Sequence, residues 1–289
     1  MHFFLNLLQK GMKPFWIDGV MWQYKNMFNT INNWSGIVST NAGADPASFS
    51  PEVFSMVHKI SQNVIVPIGM IFLTYVACFE LINIIKDYNN FHDNTLRSLF
   101  LWIAKTAIGV MLVTKCWDIV MAIFAMGQWV VRATTGILSA ELALDPGTLD
   151  VIRQNLENYP AAGLFGLWFS TLVVAFLSQL IAVVAYAIVI ARIFEIYMTI
   201  SLAPIPFSTL IHSEHKGMGQ NYIKSLFALA FQGFLIMILI AIYIALAKAS
   251  ITSDANIGMV QLKMLGAQFV LMFMLFRTGS IAKSIFGAS

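Results

Sequence analysis

Six ionisable side chains lie in or against strongly apolar stretches: Glu80, Lys105, Lys115, Asp118, Arg192 and Glu195. A charge at hydrocarbon depth costs several kcal/mol unless it is paired or hydrated, so each position needs a partner or water. In a helical hairpin whose loop centres near residue 92, Glu80 and Lys105 come level and can meet. Two readings stay open for them, a structural ion pair and the wall of a hydrophilic conduit. Lys115 and Asp118 stand one helical turn apart and can pair within their own helix, as can Arg192 and Glu195. Snorkelling of a long side chain near a helix end accounts for Arg192 without further function. In the same hairpin Cys78 and Cys116 fall about 15 Å out of level, too far for a disulfide.

Reactive signatures are missing. The sequence has no Gly-rich phosphate loop, no nucleophile elbow and no metalloprotease helix. No catalytic, cofactor-binding or metal-ligating residue is assigned, and no cofactor is expected. His212-Ser213-Glu214-His215 places two imidazoles on one helix face, yet a third ligand is not nearby, and a solvated turn is the simpler reading.

Composition says what must position these groups. Of 289 residues 58% are hydrophobic and only 11% charged, with a mean hydropathy of +0.76. Soluble domains carry about 25% charged residues, so too little charge is present to clothe a water-soluble surface. A net charge of +3 argues against a large nucleic-acid surface. The expected fold class is all-α, a polytopic membrane protein with about five transmembrane helices and an N-terminal amphipathic interfacial helix. The five apolar stretches are Val64 to Ile85, Leu99 to about Val131, Leu164 to Ala191, Ser225 to Ala247 and Ile257 to Phe276. Each reaches the roughly 20 residues that cross about 30 Å of hydrocarbon, and only helices satisfy their own backbone there. Gln261, Lys263 and Gln268 polarise one face of the last of them.

Segment 194–211 is also apolar but holds Pro204 and Pro206, which remove two donors and forbid a regular helix. It reads either as a sixth, broken span or, preferably, as a helix extension that leaves the membrane and turns back, with backbone acceptors left free near the headgroups. In that arrangement Lys86, Arg97, Arg192, Lys216, Lys224, Arg277 and Lys283 share one side, against Lys59, Arg132, Arg153 and Lys248 on the other. The richer side is cytoplasmic, with the N-terminus outside.

Four regions follow: 1–59, amphipathic and interfacial; 60–131, a transmembrane hairpin; 132–162, an extracytoplasmic loop with a short helix beginning near Thr148; and 163–289, a transmembrane region broken at 194–211. In the first, Trp16, Val20, Tyr24, Met27, Ile31 and Trp34 recur at helical spacing, and Ser39 to Pro46 reads as a loop. That helix suits the membrane interface or simply packs on the bundle. Phe3 to Leu8 does not look like a secretory signal. Ala182, Ala185, Ala191, Ala241 and Ala245 mark expected helix contacts.

The order Tyr186-Ala187-Ile188-Val189-Ile190-Ala191-Arg192-Ile193-Phe194-Glu195-Ile196-Tyr197, then Ser201-Leu202-Ala203-Pro204-Ile205-Pro206-Phe207, then Asn221-Tyr222-Ile223-Lys224 and Phe231-Gln232-Gly233, resembles the TrbL family. These are polytopic inner-membrane subunits of conjugative type IV secretion systems, the VirB-type channel component, and the resemblance covers about residues 160–250. It implies a non-enzymatic channel or scaffold subunit of the bacterial cytoplasmic (inner) membrane. Its implied partners are other secretion subunits including cytoplasmic ATPases, membrane lipid, further copies of itself in a homo-oligomer, and nucleic acid only as transported substrate. The competing class is a small-molecule transporter or ion channel with Glu80, Lys105, Lys115 and Asp118 as pathway residues.

Overall fold

The computed structural model of the chain describes residues 2–43, 45–88, 95–138, 146–211, 216–253 and 256–288. It is 94% helical, with no strand among the described residues. Among them, six helical segments are long and apolar enough to cross a membrane: Pro51–Lys86, Arg97–Thr114, Cys116–Ile137, Ala161–Ser201, Lys216–Thr252 and Ile257–Phe286. The sixth does not come from the proline segment. It arises because the stretch expected as one span, Leu99 to Val131, divides at Lys115 into α5 (Thr95–Thr114) and α6 (Cys116–Leu138). At the join Thr114 Oγ1 donates back to the carbonyls of Val110 (2.8 Å) and Met111 (3.2 Å). Lys115 N still donates to the Met111 carbonyl at 2.9 Å, so the join is a single residue and not a loop.

The helices gather into two compact units. One comprises Met1–Ala42, Val131–Ile190 and Phe234–Thr278; the other Gly43–Val130, Ala191–Gly233 and Gly279–Ser289. In the first, α1 (His2–Ala42) lies along α8 (Leu164–Ser201), with α10 (Lys216–Ser253) and α11 (Ile257–Phe286) completing the core. Ile17, Val20, Tyr24, Met27, Ile31, Trp34 and Val38 recur every three or four residues and are all buried there. That apolar face therefore packs on protein, the second of the two roles its periodicity allowed. α1 outlasts its expected end, and in its last turn Thr40 Oγ1 and Asn41 Nδ2 donate to the Gly36 and Ile37 carbonyls. Asp45 then caps α2 (Pro46–Phe49) by accepting from Ala47 N at 3.0 Å. α7 (Pro146–Glu157) supplies the short helix before α8, and Lys13 Nζ donates to its terminal Glu157 carbonyl at 2.8 Å.

In the second unit α3 (Pro51–Ile60) runs through a π-helical turn, Ser61–Ile65, into α4 (Val66–Tyr88). α4 and α5 form a hairpin, tied by Trp102 Nε1 donating to the Ala77 carbonyl at 2.9 Å. Of the alanines expected at helix contacts, Ala185 is buried in the core of the first unit and Ala182 and Ala241 pack against it, and glycine makes close approach elsewhere. A Cβ on Gly127 of α6 would stand 2.5 Å from the Ala230 carbonyl oxygen of α10, whereas Ala191 and Ala245 face outward. Both cysteines are free thiols, Cys78 exposed and Cys116 buried.

Candidate functional site

The charged positions separate into three environments. Lys105 Nζ lies 2.6 Å from Glu80 Oε1 across the α4–α5 hairpin, and the two differ in cover: the Lys105 side chain is 46% exposed, that of Glu80 14%. Lys115 and Asp118 meet at 3.6 Å but stay open to the surroundings, 65% and 70% exposed. Both stand at the join between α5 and α6.

Arg192 does not snorkel. It is buried, and its guanidinium donates from Nε to the Leu229 carbonyl (3.2 Å) and from Nη2 to the Ala230 carbonyl (3.3 Å) of α10. Helical carbonyls keep a second lone pair after bonding their own N–H partner. Small side chains at Ala228 and Ala230, with Gly127 on the neighbouring α6, leave those oxygens within reach. Glu195, one turn on, meets Lys283 of α11 at 3.5 Å. Tyr222 Oη donates to the Thr199 carbonyl at 2.7 Å, and Tyr197 Oη to the Pro46 carbonyl at 2.7 Å. One end of α8 is thus tied by polar contacts to α10, α11 and the segment before α3.

Pro204 and Pro206 sit in α9 (Pro204–Ser208), a single turn after α8 stops at Ser201. The acceptors expected to remain free are satisfied. Ala203 N takes the Ile200 carbonyl and Ile205 N takes the Leu202 carbonyl, both at 3.2 Å, so bonds three residues apart replace those the prolines delete. Pro204 and Phe207 are buried by the chain itself. Three glycines make the room: a Cβ on Gly69 would stand 2.8 Å from Pro204 O, one on Gly109 2.8 Å from Ile211 Cδ1, and one on Gly219 2.7 Å from Pro206 O.

Position along the hairpin also departs from expectation. Charge counting places the proline wedge, α9, on the same membrane side as Lys86 and Arg97. Gly69 is about 25 Å along α4 from Lys86, and Gly109 about 18 Å along α5 from Arg97, at 1.5 Å per residue. The wedge therefore stands apart from Lys86 and Arg97 by much of a hydrocarbon thickness. The His212 to His215 run lies outside the described residues.

Sequence reading missed a polar ladder in the first unit. Gln261 Nε2 donates to Thr171 Oγ1, and Ser170 Oγ donates to Gln261 Oε1. Gln268 Nε2 donates to Ser178 Oγ and, at 3.3 Å, to Tyr243 Oη. Two seven-residue steps match, 261 to 268 on α11 and 171 to 178 on α8, so the helices run parallel in register. That coincidence of spacing was the available signal. Lys263 does not share the face: it lies about 200° around the helix from Gln261 and is exposed.

A multi-helix apolar chain whose interior polar groups are spent on helix-to-helix contacts is a polytopic membrane protein. The profile of the family described as TrbL/VirB6 plasmid conjugal transfer like protein matches residues 31–204, more than half of the chain, and the chain belongs to that family. It is accordingly a membrane component of a conjugal-transfer type IV secretion system. The match reaches well ahead of residue 160 and stops at Pro204, so Asn221 to Lys224 and Phe231-Gln232-Gly233 lie beyond it. No curated protein and no solved structure matches the chain.

Proposed function

We propose that the chain is a non-enzymatic channel or scaffold subunit that helps move DNA or protein across the bacterial cytoplasmic (inner) membrane. The family match over residues 31–204 carries this reading. Physical support comes from how the polar side chains are used: Glu80 with Lys105, Glu195 with Lys283 and Arg192 with two carbonyls all join helices. The subunit works as a homo-oligomer alongside cytoplasmic ATPases and other secretion subunits, in contact with membrane lipid, and meets nucleic acid only as transported cargo. Region 132–162 is extracytoplasmic, and the α9 wedge transmits contact with cytoplasmic partners.

Deleting the coding sequence from its conjugative element and restoring it in trans tests the reading. Conjugation frequency falls below detection in the deletion and returns with the intact chain, and a tagged chain co-purifies with a secretion ATPase. Unchanged transfer in the deletion refutes it. A solute-uptake defect with normal transfer would instead support the transporter or ion-channel alternative.

A further inference from the structure

α1 is not among the helices long and apolar enough to span a membrane, yet it lies alongside one that is. Trp16 packs edge-on against Phe165 and Trp168 at 5.3 and 5.8 Å between ring centroids, and Gln179 Nε2 donates to Thr30 Oγ1 at 2.6 Å. Both ties have nearly the same sequence offset, so α1 runs parallel to α8 with residues 18–40 level with about 167–189. That part of α8 is free of charge: no Asp, Glu, Lys or Arg occurs between Leu164 and Arg192.

Two faces at this one depth make opposite demands. Outward on α8 stand Phe165, Phe169, Phe176 and Val183, all exposed and apolar. Outward on α1 stand Asp18, Lys25, Asn29, Asn33 and Thr40, which fall within about 80° of one another around the helix, with Trp22 among them. From Asp18 to Thr40 the stripe is about 33 Å long, close to the thickness of the hydrocarbon. Lipid against it strands charged and amide groups, while water against the α8 face exposes a row of phenylalanines. One environment cannot suit both faces.

We infer that α1 crosses the bilayer depth as the wall of an aqueous conduit, its polar stripe toward water while α8 meets lipid at the same level. This deepens the channel reading above and rests on it, and it replaces the interfacial placement of this helix. The apolar face of α1 is already buried in the core of its unit, which holds the stripe outward.

Single cysteines test it in the full chain in membranes, with Cys78 and Cys116 replaced by alanine. An impermeant methanethiosulfonate should modify Lys25→Cys, Asn29→Cys and Asn33→Cys within about tenfold of the rate at the exposed Gln154→Cys, and Phe169→Cys, Phe176→Cys and Val183→Cys about a hundredfold more slowly. Three positions on each face keep the comparison valid if one variant fails to accumulate. Modification at Asn29→Cys should lower conjugal transfer at least about tenfold, and modification at Phe176→Cys should leave it unchanged. A stripe as protected as the α8 face means lipid or another protein covers it, and overturns the inference. An α8 face as reactive as the stripe places the unit outside the bilayer and overturns it equally, as does full transfer after modification at Asn29. Transfer that never depends on the chain defeats the channel reading instead, whatever the labelling pattern.

Discussion

Breaking the Glu80–Lys105 pair from either side should not cost the same. At 2.6 Å the attraction is about 6 kcal/mol at an effective dielectric of 20, most of it offset by desolvating the two ions. What decides the cost of each single variant is the ion left behind. Glu80→Gln leaves Lys105, whose side chain is 46% exposed and long enough to swing its ammonium toward water, for a loss of about 1 kcal/mol. Lys105→Met leaves Glu80, only 14% exposed on a short stem, for a loss of about 3 kcal/mol. A change of 1 to 2 kcal/mol shifts steady-state abundance several-fold, so membrane protein level after a translation block reads the difference. Expected order is wild type, Glu80→Gln, then Lys105→Met lowest, with Glu80→Lys plus Lys105→Glu above Lys105→Met. The reasoning fails if the exchanged pair is no better than the worse single variant, or if Glu80→Gln is the more damaging. Lys115→Met is the control, since exposed pairs contribute at most a few tenths of a kcal/mol, and its level should match wild type.

Gly127→Leu drives a side chain into the Ala230 carbonyl and should abolish detergent-stable protein, while Gly136→Leu, with open space around it, should not; equal melting temperatures would remove the α6–α10 contact from the fold. Gln268→Leu and Ser178→Ala should each cost about 1 kcal/mol and the double variant less than their sum, measured as a thermodynamic cycle; strict additivity means the ladder bond is not made. Pro204→Ala plus Pro206→Ala should leave membrane insertion intact and lower conjugal transfer, and full transfer would take the wedge out of the mechanism. Cysteines at Gln154 and Gly217, both exposed and lying before and after the single long helix α8, should label from opposite membrane faces, and labelling from one face contradicts a single crossing.

Hydrophobic run length and helical period were enough to read the class and most of the rods, because a continuous apolar run of about 20 residues satisfies its own backbone in lipid only as a helix. The Glu80 and Lys105 juxtaposition was legible for the same reason: two apolar arms joined by one short loop leave little freedom of register. Legibility fails where a contact depends on which face a helix turns inward. Nothing in the run around Arg192 says that α10 will offer two bare carbonyls, because that depends on Gly127, sixty-five positions earlier, letting three helices close up. The break at Lys115 was hidden for a different reason. The join holds neither the proline nor the glycine by which helix interruptions are usually recognised.

Arg192 also shows why depth cannot be read from charge alone in such a chain. Counting it as a snorkelling residue assigns its end of α8 to the membrane surface and so sets the side of everything that follows. Once the guanidinium is seen spending its donors on α10 carbonyls, that positional information disappears, because a satisfied buried arginine is tolerated at any depth its partners occupy. The same holds for Glu80, whose charge is answered within the hairpin. Charges that still report on their surroundings are those whose side chains stay open, such as Asp18, 71% exposed and 3.9 Å from Arg153. The polar stripe of α1, and not the intramembrane ion pairs, therefore distinguishes water from lipid along this chain.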